Sequence, residues 1–339
     1  MPISDFRVDT VPVERQICSL ERSIWSWANA YKVSFSIFAL NELGVLKLIA
    51  TSFLAPAQIA DQLDLSEELL TPLLELLAST GVLQEREGAF RGQQGIETIL
   101  PLLVMESRLS ASHVTSSQIA KVVRSGLAAD IFQTGNVEEY LPIFTAAMRS
   151  SARTLAPHLV RFGNLRQCRQ VLDLGGADGS LALALCRVVP QLSISVVDLP
   201  RMQQPFEKQI REHGAEHAIH FHSADLRQPE TLAGLLGTAD VILISNVVHL
   251  LTTEHRFRLY RTVQQHAAAG TRFVVYDQFI GDNAPLSGTD FMAVDWVING
   301  VQFRETPEQL CEILRESGFS HAQSRQFPGL PGAVVIAQV

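Results

Sequence analysis

Apolar residues recur with a helical period along the first part of the chain. Residues 14 to 50 carry this period, and the stretch "LTPLLELLAST" places several leucines on one helix face before Gly81 ends the helix. Between them, "APAQIADQLDLSEELL" predicts a helix, a short turn and a second helix capped by Ser66. The next stretch, "GVLQEREGAFRG", predicts a β-hairpin. Two helices followed by a hairpin are typical of a winged helix.

The pattern changes in the second half of the chain. From about residue 106 to 165 the helical period is less regular and breaks at "QTGNVEEY". After residue 170, amphipathic stretches alternate with the apolar runs "QVLDLGG", "LSISVVDLP", "AIHFHSAD", "ADVILISNVV", "TRFVVYDQF" and "GAVVIAQV". This alternation is typical of βαβ units on a mostly parallel sheet. We therefore expect a winged-helix domain over 1–105, linking helices over 106–165 and an α/β domain over 166–339.

Composition narrows the class of protein. The chain has 339 residues, of which 47% are apolar and 18% charged, and this favours two globular domains. A net charge of −8 opposes nucleic-acid binding, which needs clustered Lys and Arg, and the second winged-helix helix carries glutamates instead. Four scattered cysteines without a CxxC pair, and an N-terminus without a secretory leader, predict a cytoplasmic location. Charges interrupt the apolar stretch at 24–50, so we expect a buried helix and no membrane span.

The stretch "VLDLGGADGS" has the position of a cofactor loop, because it lies between the first strand and the first helix of the α/β domain. A dinucleotide-binding loop needs three glycines in the order G-x-G-x-x-G, and neither Gly175 nor Gly176 begins such a series. An acid, Asp173, precedes the glycines, and a second acid, Asp198, ends the next strand, where an acid can bind ribose hydroxyls. These features favour an adenosyl compound without phosphates.

With these residues the chain resembles the S-adenosylmethionine (SAM)-dependent methyltransferases, and specifically the small-molecule O-methyltransferases of the plant caffeate and bacterial polyketide types. The resemblance covers nearly the whole chain. It rests on the order of "FTAAMRSSARTLAPHLVRF", "VLDLGGADG", "VVDLP", "SAD", "ADVILISNVVHLL" and "RETPEQLCEILRESGF". It implies a Rossmann-like, seven-stranded class I methyltransferase domain, SAM as cofactor, and an N-terminal winged-helix domain that forms a homodimer, with Trp25 and Trp27 at a candidate interface.

The resemblance also implies a cofactor site. The loop glycines would let the backbone pass beside the methionine end of SAM, Asp198 would accept hydrogen bonds from the ribose, and Asp225 would lie near the adenine. Ordinary strand-end or turn roles remain alternatives for all of these residues. Two positions depart from many relatives, since Ser245 replaces Lys and Ala152 replaces Ser. The full set of implied cofactor residues is Asp173, Gly175, Gly176, Gly179, Asp198, Leu199, Asp225, Leu226, Ser245 and Asn246.

The resemblance places the general base at His249. A histidine side chain, with an ordinary pKa of about 6.5, is largely neutral at pH 7 and can accept a phenolic proton. Asp277 matches an acid that orients the base, and Arg304 occupies the place of a second such acid, so the usual arrangement is changed. Leu250 and Leu251 also replace the Asp-Trp that usually follows the base. A structural histidine at position 249 is the alternative.

The acceptor pocket is expected in the linking helices and in the segment before the last helix. Apolar and aromatic walls suit a flat ring, with Asn299 as the orienting polar group, although plain core packing explains each apolar member equally well. We expect no metal, because the "HFH" at 220–222 has no third ligand nearby. The candidate acceptor residues are Phe144, Met148, Phe291, Met292, Trp296, Asn299 and Phe303.

We therefore predict a SAM-dependent O-methyltransferase that acts on a phenolic or enolic hydroxyl of a small aromatic or polyketide-like natural product. The altered "HLL" segment and Arg304 leave three related alternatives open: a C-methyltransferase, an N-methyltransferase, and a SAM-requiring hydroxylase, decarboxylase or rearrangement catalyst. A non-catalytic partner-binding protein with a degenerate cofactor site is the remaining alternative.

Overall fold

A computed structural model describes residues 10–129, 137–279, 288–326 and 332–339 of the chain. The predicted break at "QTGNVEEY" lies half outside these ranges, since residues 133–136 are not described and a helix begins at Val137. The chain divides into two compact units, one ending at Ser107 and one beginning at Arg108. Among the described helices, none is long and apolar enough to cross a membrane.

The N-terminal unit is mostly helical and ends in a hairpin. Ser66 caps its fourth helix, since its hydroxyl accepts a hydrogen bond from the Leu69 N–H at 3.4 Å, as the sequence predicts. The two hairpin strands pair antiparallel from Leu83 opposite Gly92, which confirms the predicted hairpin. The elements are α1 (Thr10–Glu42), α2 (Val45–Leu48), α3 (Pro56–Leu63), α4 (Glu67–Ser79), β1 (Leu83–Arg86), β2 (Ala89–Gly92) and α5 (Ile96–Ser112), which continues into the second unit.

The core of this unit lies between α1, α2, α3, α4 and the hairpin. Leu40, Ile59, Leu74 and Leu77 have no exposed surface, and Phe90 of β2 covers one end of the cluster. The exposed side of α1 is different, because it presents large apolar side chains to solvent. These are Ile24, Trp25, Trp27, Tyr31 and Phe35, each more than half exposed.

The C-terminal unit is built on a seven-stranded sheet in the order β5-β4-β3-β6-β7-β9-β8. The five strands at one side of this order, β5, β4, β3, β6 and β7, run parallel. Strand β9 pairs antiparallel with β7, and β8 pairs antiparallel with β9. The strands are β3 (Gln170–Leu174), β4 (Ser193–Asp198), β5 (Ile219–Ser223), β6 (Val241–Ser245), β7 (Arg272–Asp277), β8 (Ser320–Gln326) and β9 (Ala333–Gln338).

Helices cover both faces of this sheet, as the sequence pattern predicts. The central strands are buried on both sides, so Leu174, Val197 and Ile244 belong to one apolar cluster and Val171, Val196 and Leu243 to the other. The helices are α6 (Ser116–Ser125), α7 (Val137–Phe162), α8 (Ser180–Val188), α9 (Gln203–Glu212), α10 (Ala233–Leu236), α11 (Thr253–His266), α12 (Gly288–Asn299) and α13 (Pro307–Glu316).

The sheet confirms the predicted fold class and contains one strand that the sequence pattern does not predict. The six apolar runs are all strands, whereas β8, with the sequence "SHAQSRQ", escaped the pattern because it is a polar edge strand with only Ala322 buried. The strand order reverses between β3 and β6, since the chain first builds outward from β3 to β5 and then returns to the other side. Ligands of such sheets bind beyond the carboxyl ends of the strands at this point of reversal.

Candidate active site

The predicted cofactor and catalytic residues lie at the carboxyl ends of four neighbouring strands. Asp173 is near the end of β3, Asp198 ends β4, Asn246 and His249 follow β6, and Asp277 ends β7. Parallel strands bring these ends to the same edge of the sheet. The fold therefore gathers most of the predicted site residues at the point where the strand order reverses.

Asp198 holds the glycine loop against the end of β4. Its Oδ2 accepts a hydrogen bond from the Ala177 N–H at 2.9 Å, and its Oδ1 accepts one from the Leu199 N–H at 2.7 Å. Burial raises the pKa of Asp198, and the two N–H groups act in the opposite direction. Each carboxylate oxygen has a second lone pair that can still accept a bond from a ligand hydroxyl.

The loop glycines are required by the protein's own packing. Gly175 has a φ of +78°, and a Cβ atom there would lie 2.5 Å from the Val247 side chain. A Cβ atom at Gly176 would collide with the Asp173 carboxylate, and one at Gly179, also at φ +78°, would lie 2.9 Å from Phe206. Contacts within the chain thus already explain these glycines, and their predicted role toward the cofactor adds to that reason.

Asp173 is a buried acid without a partner. Its side chain is nearly inaccessible, and among the described residues neither carboxylate oxygen has a hydrogen-bond partner. Burial and the nearby charge of Asp198 raise the pKa of Asp173 to about 7. Ser180 Oγ and Asn246 Oδ1 are also buried without a partner. A buried polar group without a partner costs free energy, so this cluster is suited to a ligand that donates hydrogen bonds or carries positive charge.

One ion pair at this loop was not predicted from the sequence. The Arg149 Nε of α7 lies 2.8 Å from the Asp178 Oδ2, and the other Asp178 oxygen accepts the Ser180 N–H at the start of α8. Asp178 is buried, so Arg149 compensates its charge. The segment containing Arg149 did stand out in the sequence, but no pattern within it indicates a partner in the glycine loop.

His249 and Asp277 form a short hydrogen bond. The distance from His249 Nδ1 to Asp277 Oδ1 is 2.6 Å, and Asp277 Oδ2 also accepts the His249 backbone N–H at 3.3 Å. Asp277 is completely buried, whereas 13% of the His249 side chain is exposed. An ionised carboxylate only accepts hydrogen bonds, so Nδ1 carries the proton and Nε2 is left with its lone pair. The pair thus has the geometry predicted for an oriented base.

Arg304 is not brought to this pair. Its side chain is exposed, and its Nη1 donates to the Phe303 carbonyl at 2.7 Å. Within the described part of the chain it makes no hydrogen bond with His249 or Asp277. Its neighbour Glu305 faces the interior instead and lies 2.6 Å from the Arg256 Nη2. In this altered segment, the side chain that forms the buried ion pair is therefore Glu305 and not Arg304.

The remaining predicted cofactor residues lie at the edge of the site. Asp225 accepts three hydrogen bonds from the Arg227 guanidinium, and these hydrogen bonds hold the pKa of Asp225 below its usual range. Leu226 is buried in the core, and Ser245 ends β6 opposite Tyr276 of β7. An adenine contact at Asp225 would use the oxygen lone pairs that Arg227 leaves free.

The predicted acceptor residues differ in their burial and in their contacts. Trp296 stacks on the His249 ring, with 5.5 Å between ring centroids and 20° between planes. Phe303 is fully buried and packs edge-on against Trp296, so core packing accounts for it. Asn299 already contacts His113 Nε2 at 3.1 Å and donates to the Asp295 carbonyl. The others are half-buried or exposed: Phe144, Met148 and Met292 are half-buried, and Phe291 is exposed.

Two further polar groups near the pair lack partners. Trp296 Nε1 and Gln278 Oε1 are buried without a hydrogen bond, and Gln278 directly follows Asp277. Both groups can bond to a polar atom of a bound molecule. In the described residues, no group of three or more His, Cys, Asp or Glu side chains is arranged to hold a metal ion.

Comparison with known proteins connects this site to a family. The O-methyltransferase domain matches residues 123–320, and the O-methyltransferase dimerisation domain matches residues 25–101. The chain is 23% identical to the N,N-dimethyltransferase OxyT of Streptomyces rimosus, over 94% of this chain and 96% of that protein. It is 26% identical to the tetracenomycin polyketide synthesis 8-O-methyl transferase TcmO of Streptomyces glaucescens, over 47% of this chain and 46% of that protein.

Solved structures share the fold. The crystal structure of human N-acetylserotonin methyltransferase in complex with SAM superimposes with a TM-score of 0.74 at 20% identity, covering 100% of this chain and 99% of that one. The O-methyltransferase domain spans more than half of the chain. The predicted resemblance is therefore confirmed: the chain belongs to the O-methyltransferase family and is a SAM-dependent methyltransferase with an N-terminal O-methyltransferase dimerisation domain.

Proposed function

We propose that the chain methylates a phenolic or enolic hydroxyl of a small aromatic or polyketide-like natural product, with His249 as the general base. The observation that carries this proposal is the 2.6 Å hydrogen bond between His249 Nδ1 and the buried Asp277 carboxylate. It fixes the imidazole as the tautomer whose Nε2 can accept a proton. The name of the relative TcmO, an 8-O-methyl transferase of polyketide synthesis, supports the substrate class.

His249 supplies what a neutral hydroxyl lacks. A phenol has an ordinary pKa of about 10, so at pH 7 it is a weak nucleophile until a base takes its proton. In this proposal, His249 Nε2 takes the hydroxyl proton, which leaves the oxygen as the nucleophile, and the resulting imidazolium is stabilised by Asp277. Asp277 accepts hydrogen bonds from His249 Nδ1, His249 N–H and Gln278 N–H, so the ring has little freedom to turn.

The acids around the glycine loop fit SAM. SAM has an amino group and a sulfonium that are both positive, ribose hydroxyls that donate, and no phosphate that acids would repel. The unpartnered Asp173 is suited to the positive end and Asp198 to the ribose, with Ser180 Oγ and Asn246 Oδ1 as further polar contacts. When bound, SAM supplies an electrophilic methyl group.

The face of His249 favours a flat acceptor. Trp296 covers one side of the imidazole ring, and the Trp296 Nε1–H and the Gln278 Oε1 have no hydrogen-bond partner among the described residues. An aromatic or enolic ring can pack on these planar groups while its hydroxyl approaches Nε2. Desolvation of the hydroxyl and its alignment would then supply part of the rate enhancement.

N-methylation is a second candidate. OxyT, which is named an N,N-dimethyltransferase, aligns with nearly the whole chain. An amine that is mostly protonated at pH 7 also has to lose a proton before it can accept a methyl group, and His249 could take it. The same site geometry therefore serves either acceptor atom, and the product decides between them. The exposed position of Arg304 gives no support to a reaction without methyl transfer.

We also infer a homodimer formed through the N-terminal unit. Five large apolar side chains on α1 are exposed, and such a row is unusual on the surface of a monomer. The dimerisation domain match begins at residue 25 and so includes Trp25 and Trp27. Both tryptophans are more than half exposed in the single chain.

A screen with SAM labelled in its methyl group tests the proposed chemistry. The acceptors are N-acetylserotonin, a hydroxynaphthoate, a hydroxylated tetracyclic polyketide and an aminated tetracyclic polyketide. We expect label on oxygen of a phenolic or enolic acceptor, established by mass spectrometry and NMR of the product. Label found on nitrogen would establish the second candidate. Label found only on carbon would contradict both.

Replacing the base tests the mechanism. In His249→Gln we expect kcat for a phenolic acceptor to fall by about 10² to 10⁴ near pH 7, with SAM affinity unchanged. The loss should shrink as pH approaches about 10, because the phenol then ionises without a base. His266→Gln is the matched control, because His266 is an exposed histidine at the end of α11. Full activity of His249→Gln at pH 7 would refute the assigned role.

Removing the buried acid tests the cofactor assignment. The pKa of Asp173 is raised from 3.8 to about 7 on folding, so the folded chain binds an extra proton in this range and its stability falls as pH rises through it. Relative to the parent, the unfolding free energy of Asp173→Asn should therefore increase between pH 4 and pH 8, by an amount on the order of 4 kcal/mol. Its SAM affinity should decrease.

Urea unfolding without ligand and calorimetry with SAM measure these two effects. Asp240→Asn is a control of opposite sign, because two backbone N–H groups hold the pKa of Asp240 below its usual range. That variant should lose stability relative to the parent as pH rises, and it should bind SAM normally. A stability difference for Asp173→Asn that does not change with pH would contradict the prediction.

Sedimentation tests the dimer. The parent chain of 37.3 kDa should sediment at twice that mass, and Trp25→Ser with Trp27→Ser should shift the equilibrium toward monomer. Leu127→Ser is the control, because Leu127 is equally exposed but belongs to the second unit. A monomeric parent at micromolar concentration would rule out the proposed homodimer.

A further inference from the structure

Arg256 is an almost completely buried cation close to the His249 site. It lies in the first turn of α11, and 2% of the residue is exposed. Its guanidinium donates to the Leu251 carbonyl at 2.8 Å, to Thr253 Oγ1 at 3.2 Å and to Glu305 Oε1 at 2.6 Å. A buried Arg with this many bonds is fixed in position, because the planar guanidinium directs each donor along a set line.

The first link from Arg256 to the base runs through the backbone. His249 lies in the single 3₁₀ turn Val248–Leu250, and the Leu251 N–H closes that turn by donating to the Val248 carbonyl at 3.2 Å. The carbonyl of Leu251 is the acceptor for Arg256. Both the N–H and the carbonyl of Leu251 are therefore hydrogen-bonded. These bonds hold the end of the turn that carries the imidazole.

The second link runs through aromatic rings. The Arg256 guanidinium lies over the Phe303 ring at 5.1 Å from its centroid. Phe303 packs edge-on against Trp296 at 5.8 Å, and Trp296 stacks on His249 at 5.5 Å. One cation thus contacts both the segment after His249 and the aromatic pair that covers the His249 ring.

Glu305 makes this arrangement possible. Its Oε1 neutralises Arg256, and its Oε2 accepts the Arg304 backbone N–H at 2.9 Å. Without Glu305, a desolvated positive charge would remain in the interior, which is strongly unfavourable. The Arg256–Glu305 pair therefore joins the start of α11 to the segment between α12 and α13.

We propose that Arg256, with Glu305 as its counter-ion, is a positioning residue that sets the orientation of His249. The proposal rests on the proposed role of His249 as base. It assigns to the pair no contact with substrate or cofactor. Its effect passes to the reacting hydroxyl through the Leu251 carbonyl and through Phe303 and Trp296. Kinetically, the pair should influence the turnover step and leave SAM binding unchanged.

The test compares two Arg–Glu pairs that share helix α11. The site variant is Arg256→Met with Glu305→Gln, which removes both charges together and so avoids an uncompensated buried ion. The control is Arg258→Met with Glu230→Gln, because Arg258 Nη2 and Glu230 Oε1 form a similar pair at 2.8 Å in an exposed position. The readouts are kcat and KM with the acceptor found in the labelled-methyl screen, SAM affinity by calorimetry, and nitrogen NMR of the His249 ring assigned with His249→Gln.

For the site variant we expect cooperative unfolding and a SAM affinity within about twofold of that of the parent. We expect kcat to be at least tenfold lower and the His249 nitrogen shifts to be altered, because misplacement of a reacting group by about 1 Å can cost about 10²-fold in rate. The control should match the parent in every readout. Parent-like kcat and parent-like His249 shifts in a folded site variant would overturn the proposal. If the double variant fails to fold, Arg256→Lys alone, which keeps the buried charge opposite Glu305 but lacks the planar guanidinium, is judged by the same two readouts.

The NMR readout separates this proposal from the proposed function. If His249→Gln keeps full activity, the role of His249 as base fails and the proposal fails with it. If His249→Gln is inactive but the His249 shifts and kcat are unchanged in the site variant, only the role of Arg256 fails. A site variant that loses SAM affinity as much as kcat would also overturn the proposal, because it would indicate a general structural effect.

Discussion

The buried carboxylate of Asp277 is the constraint on which the catalytic end of the sheet depends. It has no exposed surface, so its charge has to be compensated by donors from the chain itself. Three N–H groups supply this compensation, two of them from His249. The end of β7 and the turn after β6 are joined by these bonds, and the imidazole is held in one tautomer. The requirement to satisfy a buried acid and the requirement to orient a base are met by the same contacts.

Two acids at the neighbouring strands have different surroundings. Asp198 accepts two backbone N–H groups, and through them it shapes the glycine loop. Asp173 has no partner, and burial together with Asp198 raises its pKa to about 7. The free chain therefore carries a destabilising group at the proposed cofactor site. A ligand that compensates Asp173 would stabilise the folded state in addition to its other contacts.

The sequence predicts the fold better than it predicts the contacts of the site. The alternation of apolar runs with amphipathic stretches identifies six strands, most of which are largely buried, but it misses β8, whose side chains are mostly exposed. Asp173, the glycines and Asp198 follow from the loop pattern. His249 and Asp277 came from the family resemblance, since residues 28 apart have no local signal of contact. For the same reason Arg149 with Asp178, and Arg256 with Glu305, became visible only in three dimensions.

The two departures from the family pattern, "HLL" and "RET", are connected through Arg256. Sequence alone drew attention to Arg304, but this side chain is exposed and Glu305 turns inward to Arg256. Arg256 in turn bonds to the backbone carbonyl of Leu251, so the segment after His249 needs no polar side chain for this link. Leu251 can then be buried in the core while Leu250 stays exposed. The backbone after His249 and the acid beside Arg304 thus meet at the buried Arg256, a connection that neither segment shows when it is read alone.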